Sequence, residues 1–226
     1  MTTTPSEAAA PAPASPPERL PRFDGVERAL HWSTAGLVLV LLVTAAVLYF
    51  GQLSTLVGRR ELVRRVHVVS GLLLPAPLLL ALVGRWGRGL LADLRAVNRW
   101  DADDRRWLRS WGRDPSVRLG KFNPGQKLNA AFVGGAIGVM LISGSIMHWF
   151  DPFPLSWRTG ATFVHDWTAV ALVLVIVGHV RMALGDRDAL RSMVVGWVPA
   201  DWARRHRPRW YEDQVGDGEA TRSGSG

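Results

Sequence analysis

The sequence predicts an all-α integral membrane protein built as a four-helix bundle, and three observations carry that reading. The apolar residues of the 226-residue chain fall into four blocks, with most charges between them. Each block is close to 20 residues long. At about 1.5 Å of rise per residue, such a helix crosses a hydrocarbon core about 30 Å thick. The 27 Lys and Arg residues are also shared unevenly among the intervening segments. The block length excludes a barrel of short strands, and the blocks together exclude an ordinary soluble domain.

Residues 1–21 hold six of the fourteen prolines, spaced by Ala, Ser and Thr, and read as a disordered tail. No basic start precedes an apolar core there, so this is not a signal peptide, and the first span itself directs insertion. Within a membrane domain over 22–213, spans are expected at about 29–50, 66–84, 128–150 and 161–184. Ala35–Phe50, Val66–Gly84 and Leu128–Phe150 carry no Asp, Glu, Lys or Arg, and Ala161–Leu184 carries only Asp166 and Arg181. Pro75 and Pro77 each remove a backbone donor and should kink the second span. Trp32, Trp86, Trp149, Trp157 and Trp167 fall near block ends, where an aromatic belt belongs. Glycines inside the spans (Gly36, Gly71, Gly134, Gly135, Gly138, Gly144, Gly178) serve either close helix packing or clearance for a flat cofactor. In the central loop of about 43 residues, Leu90, Leu94 and Val97 share helical spacing, as on a helix lying along the membrane or in a partner contact. Residues 214–226 are polar and rich in Gly and Ser, and read as a second disordered tail.

Residues 1–28, 85–127 and 181–226 hold 22 of the basic residues, and the two remaining segments hold 5. The positive-inside rule then places both termini and the central loop in the cytoplasm of a bacterial plasma membrane. Arg59, Arg60, Arg64 and Arg65 form the one counter-signal. The net charge of +8 is explained by this bias of the cytoplasmic segments, and nucleic acid is not an expected partner. With no cysteine, this chain holds no disulfide, thiolate zinc site, iron–sulfur cluster or cysteine nucleophile.

Five of the six histidines lie in or beside the spans, where ionisable groups are costly and mark function. His206 lies in the basic tail and reads as solvated. His31 falls near the inner end of the first span, and His67 near the outer end of the second. His165 lies near the outer end of the fourth. His179 comes 14 residues later, close to four full turns and about 21 Å deeper. Two cross-helix pairs follow, His67 with His165 at the outer level and His31 with His179 at the inner level. Haem iron accepts imidazole at both axial positions, and filling both leaves electron transfer as the chemistry. The expectation is therefore two haems b. Metal transport, the competing use of membrane histidines, would recruit carboxylates, and only Asp166 lies in a span. His148 replaces one of the outer ligands, bonds a haem propionate, or is an interfacial residue beside Trp149.

These residues belong to a wider pattern. Arg22-Phe23, the run Glu27-Arg28-Ala29-Leu30-His31-Trp32, the stretch Gly120-Lys121-Phe122-Asn123-Pro124-Gly125-Gln126-Lys127, and the tail from Ala189 to Gly196 and from Trp202 to Glu212 carry a resemblance. Over roughly 22–213 the chain resembles the gamma (cytochrome b556) subunit of membrane-bound, quinone-linked formate dehydrogenase, in the diheme cytochrome b561-like superfamily. The resemblance implies that His31 and His179 ligate the inner haem b, and His67 and His165 the outer one. It implies a menaquinone site at Asn123, Gly125 and Gln126, where amides can bond a quinone carbonyl and glycine lets the ring approach. Read alone, Asn-Pro-Gly is a turn and helix start. It implies an iron–sulfur beta subunit and a molybdenum or tungsten catalytic alpha subunit as partners. Electrons would pass from the iron–sulfur subunit through the two haems to menaquinone, with no formate-oxidising site in this chain. The alternatives are the cytochrome b subunit of another dehydrogenase, of hydrogenase or thiosulfate reductase type, or a stand-alone b561-like electron carrier. His148, the Pro/Ala-rich extension and the long central loop depart from the pattern.

Overall fold

The computed structural model describes residues 18–83 and 87–223, with side chains described up to residue 216. Most of the expected N-terminal tail, Trp86 and residues 224–226 lie outside the described residues. In chain order the elements are β1 (Arg19–Pro21), α1 (Gly25–Tyr49), α2 (Gly51–Val57), α3 (Arg60–Leu73), α4 (Ala76–Ala81), α5 (Gly87–Asn98) and α6 (Ala102–Ser110). They continue with α7 (Pro124–His148), α8 (Leu155–Gly185), α9 (Arg187–Val195), β2 (Trp197–Pro199), α10 (Ala200–His206) and α11 (Pro208–Ser223).

Four helical stretches are long and apolar enough to cross a membrane: Gly25–Tyr49, Arg60–Ala81, Pro124–His148 and Leu155–Gly185. Their outward side chains, such as Leu39, Ile142 and Leu174, are exposed, as a lipid-facing surface requires. α1 packs along α3, α7 along α8, and α3 against α7. Each helix starts earlier than the apolar blocks indicate, for local reasons. Asp24 caps α1 in a reciprocal box with Glu27, and Asn123 does the same for α7 with Gln126, with Pro124 at the first helical position. α3 gains a charged first turn because Glu61 pairs with Arg64 and Arg65 one turn on. The proline kink falls where expected: Leu74 bonds back three residues to Gly71, and α4 restarts beyond Pro75.

The terminal regions depart from the sequence expectation. Residues 19–21, placed in a disordered tail, form β1 and pair antiparallel with β2, Leu20 opposite Val198. Residues 214–223, placed in the other tail, continue α11. Strands of three residues give no periodic signal, and their pairing partner is remote in sequence. Leu20, Val198, Trp202, Ala203 and Trp210 form a small water-excluding core at this joint. The Arg22 and Arg207 guanidiniums lie 4.7 Å and 5.5 Å from the Trp202 ring centre. Burial lowers them to about 9 and about 10.

The central loop is not irregular. α5 and α6 lie at the end of the bundle that carries the β1–β2 joint. Lys121 bridges Asp93 of α5 at 2.6 Å and Glu27 of α1 at 3.3 Å. Lys127 reaches Asp104 of α6 at 2.7 Å, and Arg209 reaches Asp101 at 2.6 Å. Of the expected surface stripe, Leu90 is buried, Val97 half-buried and Leu94 exposed. The three segments that together hold 22 of the basic residues thus meet at one end of the molecule.

Candidate functional site

α8 carries two of the four paired histidines and sets the spacing of the whole site. His165 and His179 stand 14 residues apart on it, about 21 Å along one face. At one level His31 of α1 faces His179, with ring centres 6.3 Å apart and planes inclined by 51°. At the other level His67 of α3 faces His165, again at 6.3 Å, with planes at 65°. Two metal–imidazole bonds of about 2 Å each, plus about 1 Å from each nitrogen to its ring centre, span about 6 Å. Each pair is therefore spaced to hold one iron between its rings. His31, His67 and His165 are half-buried and His179 is exposed.

The His67–His165 pair is held from behind. Thr44 Oγ1 lies 2.9 Å from His67 Nδ1, and Ser143 Oγ lies 3.0 Å from His165 Nδ1. Gly144 gives the His165 ring its room: a Cβ there would stand 3.3 Å from His165 Cε1. His148 ends α7 with its ring edge-on to Trp149, 4.9 Å between centres, and faces no other histidine among the described residues. His206 is exposed and stacks on Trp202.

The Asn123–Gln126 turn is a helix start and more. The Asn123 side-chain oxygen accepts the Gln126 N–H at 2.8 Å, and the Gln126 oxygen accepts the Asn123 N–H at 3.0 Å. Both amide NH₂ groups are left as donors. A Cβ on Gly125 would meet Trp107 of α6 at 3.4 Å and Met182 of α8 at 3.8 Å. Met182 lies one turn beyond His179, so the turn sits beside the His31–His179 level. Arg207 Nη2 points at the Gln126 oxygen from 3.5 Å.

Compared with known proteins, residues 22–196 match the family described as prokaryotic cytochrome b561. The chain belongs to that family. It is a membrane cytochrome b, and the family implies haem b, which the two histidine pairs fit. This cytochrome is also similar to the formate dehydrogenase cytochrome b556(fdo) subunit of Escherichia coli (strain K12). The two are 29% identical over 204 residues, covering 85% of this chain and 92% of the relative. The formate dehydrogenase cytochrome b556 subunit of Haemophilus influenzae is 26% identical over 215 residues, 87% and 84% of the two chains. The nitrate-inducible formate dehydrogenase cytochrome b556(Fdn) subunit of Escherichia coli (strain K12) is 25% identical over 195 residues, 83% and 88%.

Sequence reasoning passed over Thr44, Ser143, Trp107 and the Lys127–Asp104 pair. Thr44 did leave a signal, as the lone hydroxyl between Ala35 and Leu48. Ser143 shares its stretch with Ser145, so nothing in the sequence singles it out.

Proposed function

We propose that this chain is the membrane cytochrome b subunit of a formate dehydrogenase, carrying electrons from an iron–sulfur partner across the bacterial plasma membrane to menaquinone. The observation that carries the electron-transfer reading is the pair of matched histidine couples at two depths of one bundle. The formate assignment is supported by the relatives' names and by the Asn123–Lys127 and C-terminal motifs. Haem b bound between the histidines of each pair would supply a one-electron couple. His67 and His165 hold the outer haem and His31 and His179 the inner one. Both termini and α5–α6 lie on the cytoplasmic side, as the basic bias of these segments requires. There Asn123 and Gln126 donate amide N–H groups to a quinone carbonyl, and Gly125 admits the ring edge beside Trp107 and Met182. The partners are an iron–sulfur subunit and a molybdenum or tungsten subunit that oxidises formate.

The test is purification of the complex from membranes, with haem content and donor activity measured together. Two haems b per chain and formate-dependent quinone reduction are expected. One haem or none overturns the paired-ligand reading. Activity with hydrogen in place of formate reassigns the partner, and a chain that purifies alone while still reducing quinone is a stand-alone carrier.

A further inference from the structure

Thr44 and Ser143 are buried hydroxyls within the spans. Thr44 Oγ1 lies 2.7 Å from the Val40 carbonyl oxygen and 2.9 Å from His67 Nδ1. Ser143 Oγ lies 2.7 Å from the Val139 carbonyl oxygen and 3.0 Å from His165 Nδ1. A hydroxyl has one proton, and a carbonyl oxygen can only accept. At 2.7 Å two oxygens repel unless that proton lies between them. Each hydroxyl therefore donates to its own helix and accepts from the ring. Nδ1 carries the proton, and Nε2 is left with a free lone pair. The same construction appears twice, from two different helices, on the two members of one pair. His31 and His179 receive no side-chain hydrogen bond of this kind among the described residues.

We propose that Thr44 and Ser143 are positioning residues that fix the Nδ1–H tautomer of His67 and His165 and so hold the outer haem at a lowered reduction potential. The inference rests on the reading of those histidines as axial ligands. A hydrogen bond donated from Nδ1–H makes the opposite nitrogen more basic. A more basic ligand favours the more positively charged, ferric iron, and the potential falls. With no such bond at the His31–His179 pair among the described residues, this contribution lowers the outer level relative to the inner, the sense that favours inward electron movement.

The experiment is a redox titration of the purified complex, following the b-haem absorption bands, in wild type, Ser143→Ala, Thr44→Val and Thr44→Ser. Each variant lacking the hydroxyl should raise one of two midpoints by about 60 mV, a tenfold change in the ferric-to-ferrous ratio. The other midpoint should stay fixed. Thr44→Ser keeps the hydroxyl and should keep the wild-type value, including where Thr44→Val loses the haem outright. Unmoved midpoints in both Ser143→Ala and Thr44→Val, with both haems bound, overturn the proposal and leave the hydroxyls as ordinary bonds to their own helices. So does a Thr44→Ser midpoint displaced from wild type. Retention of both haems in His67→Ala would instead overturn the ligand reading beneath it.

Discussion

Gly144 shows how a single hydrogen atom shapes the site. An added Cβ would press on the edge of the His165 ring at 3.3 Å, and the ring backs onto Ser143, so it has little freedom to retreat. Gly144→Ala should keep both haems with a perturbed outer absorption band. Gly144→Val should lose the outer haem and keep the inner, as an absorption spectrum of the purified protein would show. His148 belongs to the opposite class. It sits against Trp149 and faces no histidine partner among the described residues, so His148→Ala is expected to retain both haems. Loss of one haem in that variant would refute the pairing. At Gln126 the structure separates two roles that the sequence could not, because the amide oxygen serves the helix and the NH₂ remains as a donor. Gln126→Glu keeps the cap oxygen and removes the donor. It should weaken quinone binding by about tenfold, the worth of about 1.4 kcal/mol, with helix and haems intact. Gly125→Val should be worse, since its side chain would enter the space against Trp107. Titration of haem reoxidation against a menaquinone analogue distinguishes these outcomes. Slowed haem reduction with normal reoxidation would place the turn on a partner interface.

At the scale of elements, ion pairs fasten α5 and α6 to the spans. Lys127 is 4% exposed and Asp104 2%, so each depends on the other for its counter-charge. Removing one partner of a buried pair costs about 3–5 kcal/mol. Asp104→Ala should therefore lower the thermal unfolding midpoint sharply. Asp104→Leu combined with Lys127→Met should recover most of that loss, short of about 1 kcal/mol for the broken α6 cap. A double variant no better than the single would show that the pair acts through something other than charge. The Lys121 cluster adds a pH dependence. Burial and the neighbouring Glu27 carboxylate push the Asp93 carboxyl up to about 7, against the pull of Lys121. An unfolded Asp titrates at about 4. Between these values the folded state binds the extra proton, so this group's contribution to stability falls as pH rises from about 4 to about 7. Asp93→Asn should flatten that slope in unfolding midpoints measured across the range, and an unchanged slope would remove Asp93 as its source. None of this was legible beforehand. Lys121 and Lys127 read as motif letters, and nothing in the spacing pairs them with Asp93 and Asp104, 28 and 23 positions away, or Lys121 with Glu27, 94 positions away.

For the whole molecule, the four spans and both histidine pairs were readable because each rests on one long period: an apolar block near bilayer length, and 14 residues between His165 and His179. The ends were not, because three-residue strands and a small five-residue core depend on contacts across nearly the whole chain. The meeting of the three basic segments at one end makes the membrane orientation a single decision. A reporter fused after Gly226 should be active only in its cytoplasmic form. An exported signal would exchange the inner and outer levels throughout. The β1–β2 joint also orders events in time. Arg19 is synthesised early and its partner Pro199 some 180 residues later, after all four spans have been synthesised. Gly196 must then turn at φ +87°, its carbonyl accepting the Arg22 and Phe23 N–H groups at 2.8 Å and 3.1 Å. The ribbon thus acts as a clasp that can close only once the last span is made, and a chain ending before Trp197 has all four spans but leaves β1 with nothing to pair with.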